Sequence, residues 1–152
     1  VDEGIEKRVI VSRMNLLGLI SAAAGFIDSF YLGWLKITGN TAACSQIGDC
    51  DAVNSSPYAM IGDVPIAFIG ALGYALILLM IVVGMRRPAW TDNLNLALFG
   101  VTLTGMIYSA YLTYLEVAVI HAICPFCILS AALMSFLFVL SILRMRENFV
   151  IE

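Results

Sequence analysis

A chain of 152 residues with 61% hydrophobic and only 12% charged residues is too apolar for a soluble domain, whose charged fraction runs at about 25%. It reads as an integral membrane protein. The net charge of −3 adds little to this, and no nucleic-acid partner is expected.

Residues 1–13 form a charged, amphipathic lead-in with Lys7, Arg8 and Arg13. The chain starts at Val1 rather than Met, which points to a processed or recombinant N-terminus, and the first apolar run lacks a small-residue cleavage site, so no cleavable signal peptide is expected. Apolar runs at 14–35, 65–85, 94–115 and 117–143 each reach the roughly 20 residues that a hydrocarbon core about 30 Å thick demands. Backbone amides cannot go unpaired in lipid and the runs lack strict alternation, so helices are predicted, the last becoming regular near Cys124. Gly18 with Ala22, Gly105 with Ser109, and Ala131 with Ser135 have the small-residue spacing that lets membrane helices approach closely. Tyr31, Trp34 and Trp90 near the span ends read as interface anchors. A short polar tail covers 144–152. The prediction is an all-α membrane protein with one domain over 1–152, a four-transmembrane-helix bundle with a long structured outer loop between spans one and two.

Orientation follows from the cations. Lys7, Arg8, Arg13, Arg86, Arg87, Arg144 and Arg146 fall on one face and Lys36 alone on the other, which puts both termini in the cytoplasm. Cys44, Cys50 and Cys124, with Cys127 one turn deeper, then sit at the outer face, where disulfides can form. A bacterial inner membrane is the expected setting.

The loop over 36–63 contains Gly39, Gly48, Asp49, Asp51, Asn54 and Gly62 and is predicted to be largely irregular, with a helix start at Ser56 (N-cap) and Pro57 (first helical position). Its Cys44-x5-Cys50 spacing allows a disulfide around a Gly-Asp turn. It also allows two thiols on a movable arm. In Cys124-Pro125-Phe126-Cys127, Pro125 suits the first helical position with Cys124 as cap, so Cys124 is expected at the aqueous edge near the positive end of the helix dipole. Cys127 lies within reach of Cys124 but deeper. This suggests an exposed thiol that exchanges with other cysteines and a sheltered one that meets a membrane-borne acceptor such as a quinone. Three blander readings stand beside it: structural disulfides stapling the loop, free buried cysteines, and a four-cysteine metal site. The last is disfavoured by the oxidising face and the x5 spacing, so no metal is expected.

Asp28 lies in the outer half of span one, where a carboxylate costs about 2.5 to 3.5 kcal/mol on insertion scales, so it is a functional candidate beside its reading as a hydrogen-bonded bundle residue. Glu116 and His121, beside the CxxC, either modulate its thiols and protons or simply hold the headgroup region. Tyr108, Tyr111 and Tyr114 share the outer half of span three as core residues, with Tyr111 or Tyr114 as candidate quinone contacts.

The stretches Cys44-Ser-Gln-Ile-Gly-Asp-Cys50-Asp-Ala-Val-Asn-Ser-Ser56-Pro-Tyr, Gly62-Asp-Val-Pro65, Tyr111-Leu-Thr-Tyr-Leu-Glu116 and Ile123-Cys124-Pro-Phe-Cys127, in this order, resemble the vitamin K epoxide reductase family, in particular its bacterial homologues. The resemblance implies a four-helix bundle enclosing a quinone and capped by the first outer loop. It implies a relay from a reduced thioredoxin-like or DsbA-like protein to Cys44/Cys50, through a transient Cys50 to Cys124 disulfide, to Cys124/Cys127. Cys127 would attack the quinone, and Ser56 would lie near its pocket.

Bacterial members often carry a fused thioredoxin-like domain after a further span, whereas this chain stops at Glu152; its partner is expected to be separate or removed. Where animal members place an Asn and a Tyr on the vitamin K ring, this chain has Ile66 and Ala131, which favours ordinary quinone reduction over epoxide reduction. A DsbB-type oxidase also joins four spans and four cysteines to quinone, but carries its CxxC in the first outer loop. A non-catalytic four-span scaffold with stapled loops is the rival from another class.

Overall fold

In the computed structural model, which describes residues 2–40 and 48–149, the apolar runs become long helices. Helix α1 spans Asp2–Thr38, α3 Ile66–Arg86, α4 Thr91–Leu115 and α5 Pro125–Phe149, with a short α2 at Cys50–Ser55. Four helical stretches among the described residues, Gly4–Thr38, Ile66–Arg86, Pro88–Ile120 and Pro125–Glu147, are long and apolar enough to cross a membrane. Their outward faces carry Leu16, Ile20, Ile27, Leu72, Leu79 and Ile107, each more than half exposed, a surface suited to lipid.

The charged lead-in is part of α1 rather than a separate segment. No Gly or Pro interrupts the sequence from Ile5 to Leu17, so the helix runs unbroken for 37 residues, about 55 Å at the helical rise. That exceeds the hydrocarbon thickness, and burial starts only at Met14. The helix stops where Gly39 adopts φ 65°, the left-handed conformation that ends helices and that glycine adopts without strain.

The bundle is tightest in the half away from the cysteines. Ala22, Tyr74, Ile77, Ile81, Leu98, Met134 and Leu137 form one buried cluster, in which α1 packs on α3 and α5, and α4 on α5 and α3. Small residues permit these approaches: a Cβ on Gly25 would lie 2.3 Å from the Tyr74 ring, and one on Gly105 2.7 Å from Met134 Sδ. Polar groups pair across the seams. The Tyr74 hydroxyl lies 2.7 Å from the Ser130 carbonyl oxygen and 3.1 Å from Ser130 Oγ, and Thr102 Oγ1 lies 3.1 Å from Ser141 Oγ. Such bonds average about 0.6 kcal/mol within membranes, so close packing outweighs them.

Two expectations change here. The loop between α1 and α3 is more regular than its composition suggests: α2 occupies Cys50–Ser55, Pro57–Ala59 form a single 3₁₀ turn, and Met60–Ile61 (β1) pair antiparallel with Val64–Pro65 (β2). Gly62, at φ 61°, makes the two-residue turn between them. Ser56 does precede a helical turn opened by Pro57, but its hydroxyl donates backward to the Val53 carbonyl at 2.7 Å instead of capping forward. Second, the apolar run 117–120 belongs to the end of the third long helix. A π-helical turn, Glu116–Ile120, extends α4 and stops at His121, whose φ of 54° is left-handed, and α5 starts only at Pro125.

Gly25 and Gly73 provide an internal contrast. Gly25→Ala forces a methyl into the Tyr74 ring and is expected to cost about 1 to 3 kcal/mol. Gly73→Ala meets nothing within 4 Å and should be neutral or stabilising by up to about 1 kcal/mol through helix propensity. Thermal melts of the two variants in one detergent check this; equal melting temperatures would refute the packing account.

Candidate functional site

The site forms where the start of α5 meets α2. Pro125 opens α5, and the Ile128 N–H donates to the Cys124 carbonyl at 3.1 Å, so Cys124 stands at the N-cap position. The Cys124 thiol is held below the usual cysteine range. Its largest cause is the hydrogen bond with the Cys127 thiol; the N–H groups of Cys127 and Phe126 help, while burial and the Glu116 charge oppose.

Several contacts bring α2 over this point. Asp49 caps α2 by accepting from the Ala52 N–H at 3.0 Å, and its own N–H donates to the Ile123 carbonyl at 3.0 Å. Gly48 makes the approach possible, because a Cβ there would stand 2.5 Å from the Ile123 oxygen and 2.7 Å from Pro125 Cδ. At the other end of α2, Lys36 Nζ donates to the Asn54 carbonyl. Lys36 thus ties α1 to the loop.

As a result, Cys50 and Cys124 are in contact. Their sulfurs are 3.1 Å apart, too far for a bond, which needs about 2.05 Å, but close enough for exchange. Cys50 is in a disulfide, while Cys124 and Cys127 are free thiols. Cys44 lies outside the described residues. Cys124 is not at the aqueous edge as expected: it is 1% exposed and Cys50 2%, because α2 and Leu35 cover them. Tyr31, expected as an interface anchor, packs its ring on Phe126 of the CxxC at 5.6 Å.

Glu116 completes the cluster. It is 4% exposed, and its carboxyl accepts from the Cys124 N–H at 3.3 Å and lies within hydrogen-bond reach of the Cys127 thiol. The π-turn is what turns the end of α4 under the CxxC; π-turns recur at functional positions. His121 is exposed and makes no comparable contact among the described residues.

Beneath the cysteines lies a cavity of about 630 Å³, walled by α1, α3, α4 and α5 and covered by α2. Its volume suits one small organic ring system. Cys50, Cys124, Cys127, Ser56 and Glu116 all border it, as do Ile66 and Ala131. Ser56 does so with its hydroxyl already committed to Val53.

Tyr111 falls outside this cavity. The wall contributed by α4 runs through Gly105, Tyr108, Leu112 and Glu116, spaced by three and four residues on one helical face. Tyr111 lies beyond the edge of that face and is 52% exposed; Tyr114 lies further round at 63%. Tyr108 is the tyrosine of the three that borders the cavity, and the helical phase set by Glu116 was the signal that distinguishes it. Gly48 and Asp49 carried no such signal, since their roles depend on Ile123, far away in sequence.

Among the described residues no group of three or more His, Cys, Asp or Glu side chains is arranged to hold a metal ion. The sequence matches the model of the Vitamin K epoxide reductase family over residues 16–142. It is also 33% identical over 127 residues to the thiol-disulfide oxidoreductase LTO1 of Arabidopsis thaliana, a match covering 76% of this chain and 32% of that protein. The chain therefore spans about a third of the length of that relative. With four apolar helices, a CxxC at a helix start and a second cysteine in sulfur contact with it, this is an integral membrane redox protein and belongs to the vitamin K epoxide reductase family.

Proposed function

We propose that the protein is a membrane thiol:quinone oxidoreductase. It takes two electrons from a thioredoxin-like protein outside the cytoplasm and delivers them to a quinone, supporting disulfide formation there. The observation that carries this reading is the 3.1 Å contact between Cys124 Sγ and the disulfide-bonded Cys50 Sγ, above a cavity that Cys127 borders.

The partner's dithiol first reduces a Cys44–Cys50 disulfide. Cys50 then attacks Cys124 of a Cys124–Cys127 disulfide, forming a Cys50–Cys124 bond and releasing Cys127. Cys44 attacks Cys50, which restores the outer disulfide and frees Cys124. Two electrons now reside on the inner dithiol, the state in which Cys50 is bonded and Cys124 and Cys127 are free. As the inner disulfide re-forms, Cys127 passes the pair to the quinone and Glu116, beside its thiol, accepts its proton. The cavity size and its orphaned carboxyl at Asp28 fit a mostly apolar ring with oxygen substituents.

Oxidation of a reduced thioredoxin-like protein by purified enzyme, strictly dependent on added quinone, tests the activity. A stapled scaffold would show none. In the Cys44→Ala variant the thiol that resolves the mixed disulfide is gone, so a Cys50 to Cys124 disulfide should accumulate; mass spectrometry finding Cys50 unlinked to Cys124 in the oxidised variant would contradict the relay.

The inner and outer pairs should also separate kinetically. Cys127→Ser is expected to bring quinone reduction by dithiothreitol down to the uncatalysed rate. Cys44→Ala should depress partner-driven turnover far more than turnover driven by dithiothreitol. Robust quinone reduction by the Cys127→Ser protein would remove Cys127 from its assigned place.

The split of cations between the two faces supports cytoplasmic termini. A cysteine introduced at Asn148, in a background without the native four, should resist membrane-impermeant maleimide in intact cells and react once they are permeabilised. Labelling in intact cells would invert the topology.

A further inference from the structure

Asp28 is the residue that the relay leaves unexplained. It is 7% exposed, it borders the cavity, and neither Oδ1 nor Oδ2 has a hydrogen-bond partner among the described residues. Buried carboxyls are ordinarily satisfied, and an exception calls for a partner that arrives from elsewhere. The Tyr74 hydroxyl, on the wall of the same cavity, is already engaged with Ser130.

The depth of Asp28 can be read along two helices. Leu35 packs against Cys50 and Cys124, and Asp28 lies two turns before it on α1, about 10 Å further into the bundle. On α5, two turns beyond Cys124 reach Ser130 and Ala131. Tyr74 agrees with this level, because it bonds Ser130 and borders the same cavity as Asp28. Asp28 is therefore about one helical turn deeper than Cys127, across the same cavity. One turn is close to the width of a single six-membered ring.

We propose that Asp28 holds the far oxygen of a para-quinone and donates a proton to it while Cys127 faces the near side of the ring. This rests on the quinone reading above and deepens it. A quinone oxygen only accepts hydrogen bonds, so Asp28 must carry the proton when the ring is seated. A plain lipid chain would leave the carboxyl orphaned, and the chemistry selects an acceptor with carbonyls at opposite ends.

The step balances. Cys124 and Cys127 lose two electrons and two protons as their S–S bond forms, and the quinone gains two of each. Asp28 supplies the proton at the far oxygen, and Glu116 passes the Cys127 proton to the near one. The Cys124 proton leaves to water. Asp28 regains a proton from water as the hydroquinone departs.

The test uses the full chain in lipid nanodiscs, with dithiothreitol as reductant and short-chain ubiquinone or menaquinone analogues as acceptors. Asp28→Asn keeps an N–H donor of the same shape but has no proton to give. It should lower kcat about 100-fold or more with KM little changed, while Asp28→Leu should also raise KM. Infrared difference spectra with quinone carrying carbon-13 at its carbonyls provide a readout independent of turnover. One carbonyl band should shift to lower frequency on binding to the unaltered protein and return in Asp28→Leu.

A kcat for Asp28→Asn equal to that of the unaltered protein would overturn the role of Asp28 while leaving the thiol:quinone reading intact. So would a carbonyl band that is the same in the unaltered and Asp28→Leu proteins. Failure of the unaltered protein to reduce or bind any quinone would overturn both readings. If Asp28→Leu does not fold, the Asp28→Asn kinetics and its carbonyl spectrum decide the matter alone.

Discussion

The contact between Cys50 Sγ and Cys124 Sγ joins residues 74 apart in sequence, and much of the surrounding half of the molecule serves to hold it. Thiol–disulfide exchange needs the attacking sulfur close to its target, and neither cysteine has solvent through which to search, since both are buried. The backbone must therefore bring them together. Gly48 removes the side chain that would collide with Ile123 and Pro125, Asp49 fastens the loop to the Ile123 carbonyl, and Lys36 fixes the far end of α2. Loss of the Asp49 cap alone would cost about 1 kcal/mol. Burial also excludes other thiols from this junction.

A second constraint is that the bundle must be closed at one end and open at the other. Small residues let the helices approach in the half away from the cysteines: Gly25 on Tyr74, Gly105 on Met134, and Ala22, which is fully buried. Toward the cysteine end the helices are held apart by the hairpin, α2 and the π-turn, and the cavity lies between. In water such a void would favour collapse of the apolar walls. In lipid the outward faces are already solvated by hydrocarbon, so no comparable pressure closes it.

How much of this was legible in the sequence varies from element to element. Helix type and approximate placement followed from run length, because lipid leaves the backbone few alternatives. The start of α5 at Pro125 followed from proline's tolerance of the first helical position. A charged, amphipathic lead-in over 1–13 does not by itself announce one continuous α1, although charged residues are good helix formers and nothing between Ile5 and Leu17 interrupts the helix. The covering of Cys124 was not legible either. Position at a helix N-terminus fixes direction, but exposure depends on what the loop places above it, and α2 owes its location to Gly48 and Asp49. Depth along the span does not separate Tyr108 from Tyr111 and Tyr114, whereas helical phase puts Tyr108 on the cavity wall.

The contact itself is nearly symmetric, so geometry alone does not drive electrons inward. The asymmetry lies in the two surroundings. Cys124 sits at the start of α5, where the Cys127 thiol and two backbone N–H groups stabilise its thiolate against the cost of burial and the charge of Glu116. A stabilised thiolate is a better leaving group and favours the reduced form of its pair, which makes the corresponding disulfide more oxidising. Under the proposed relay, this stabilisation helps Cys124 leave when Cys44 attacks Cys50, the step that places the electrons on the inner pair. The same stabilisation makes Cys124 a weaker nucleophile back toward Cys50, so the feature that favours arrival also slows return.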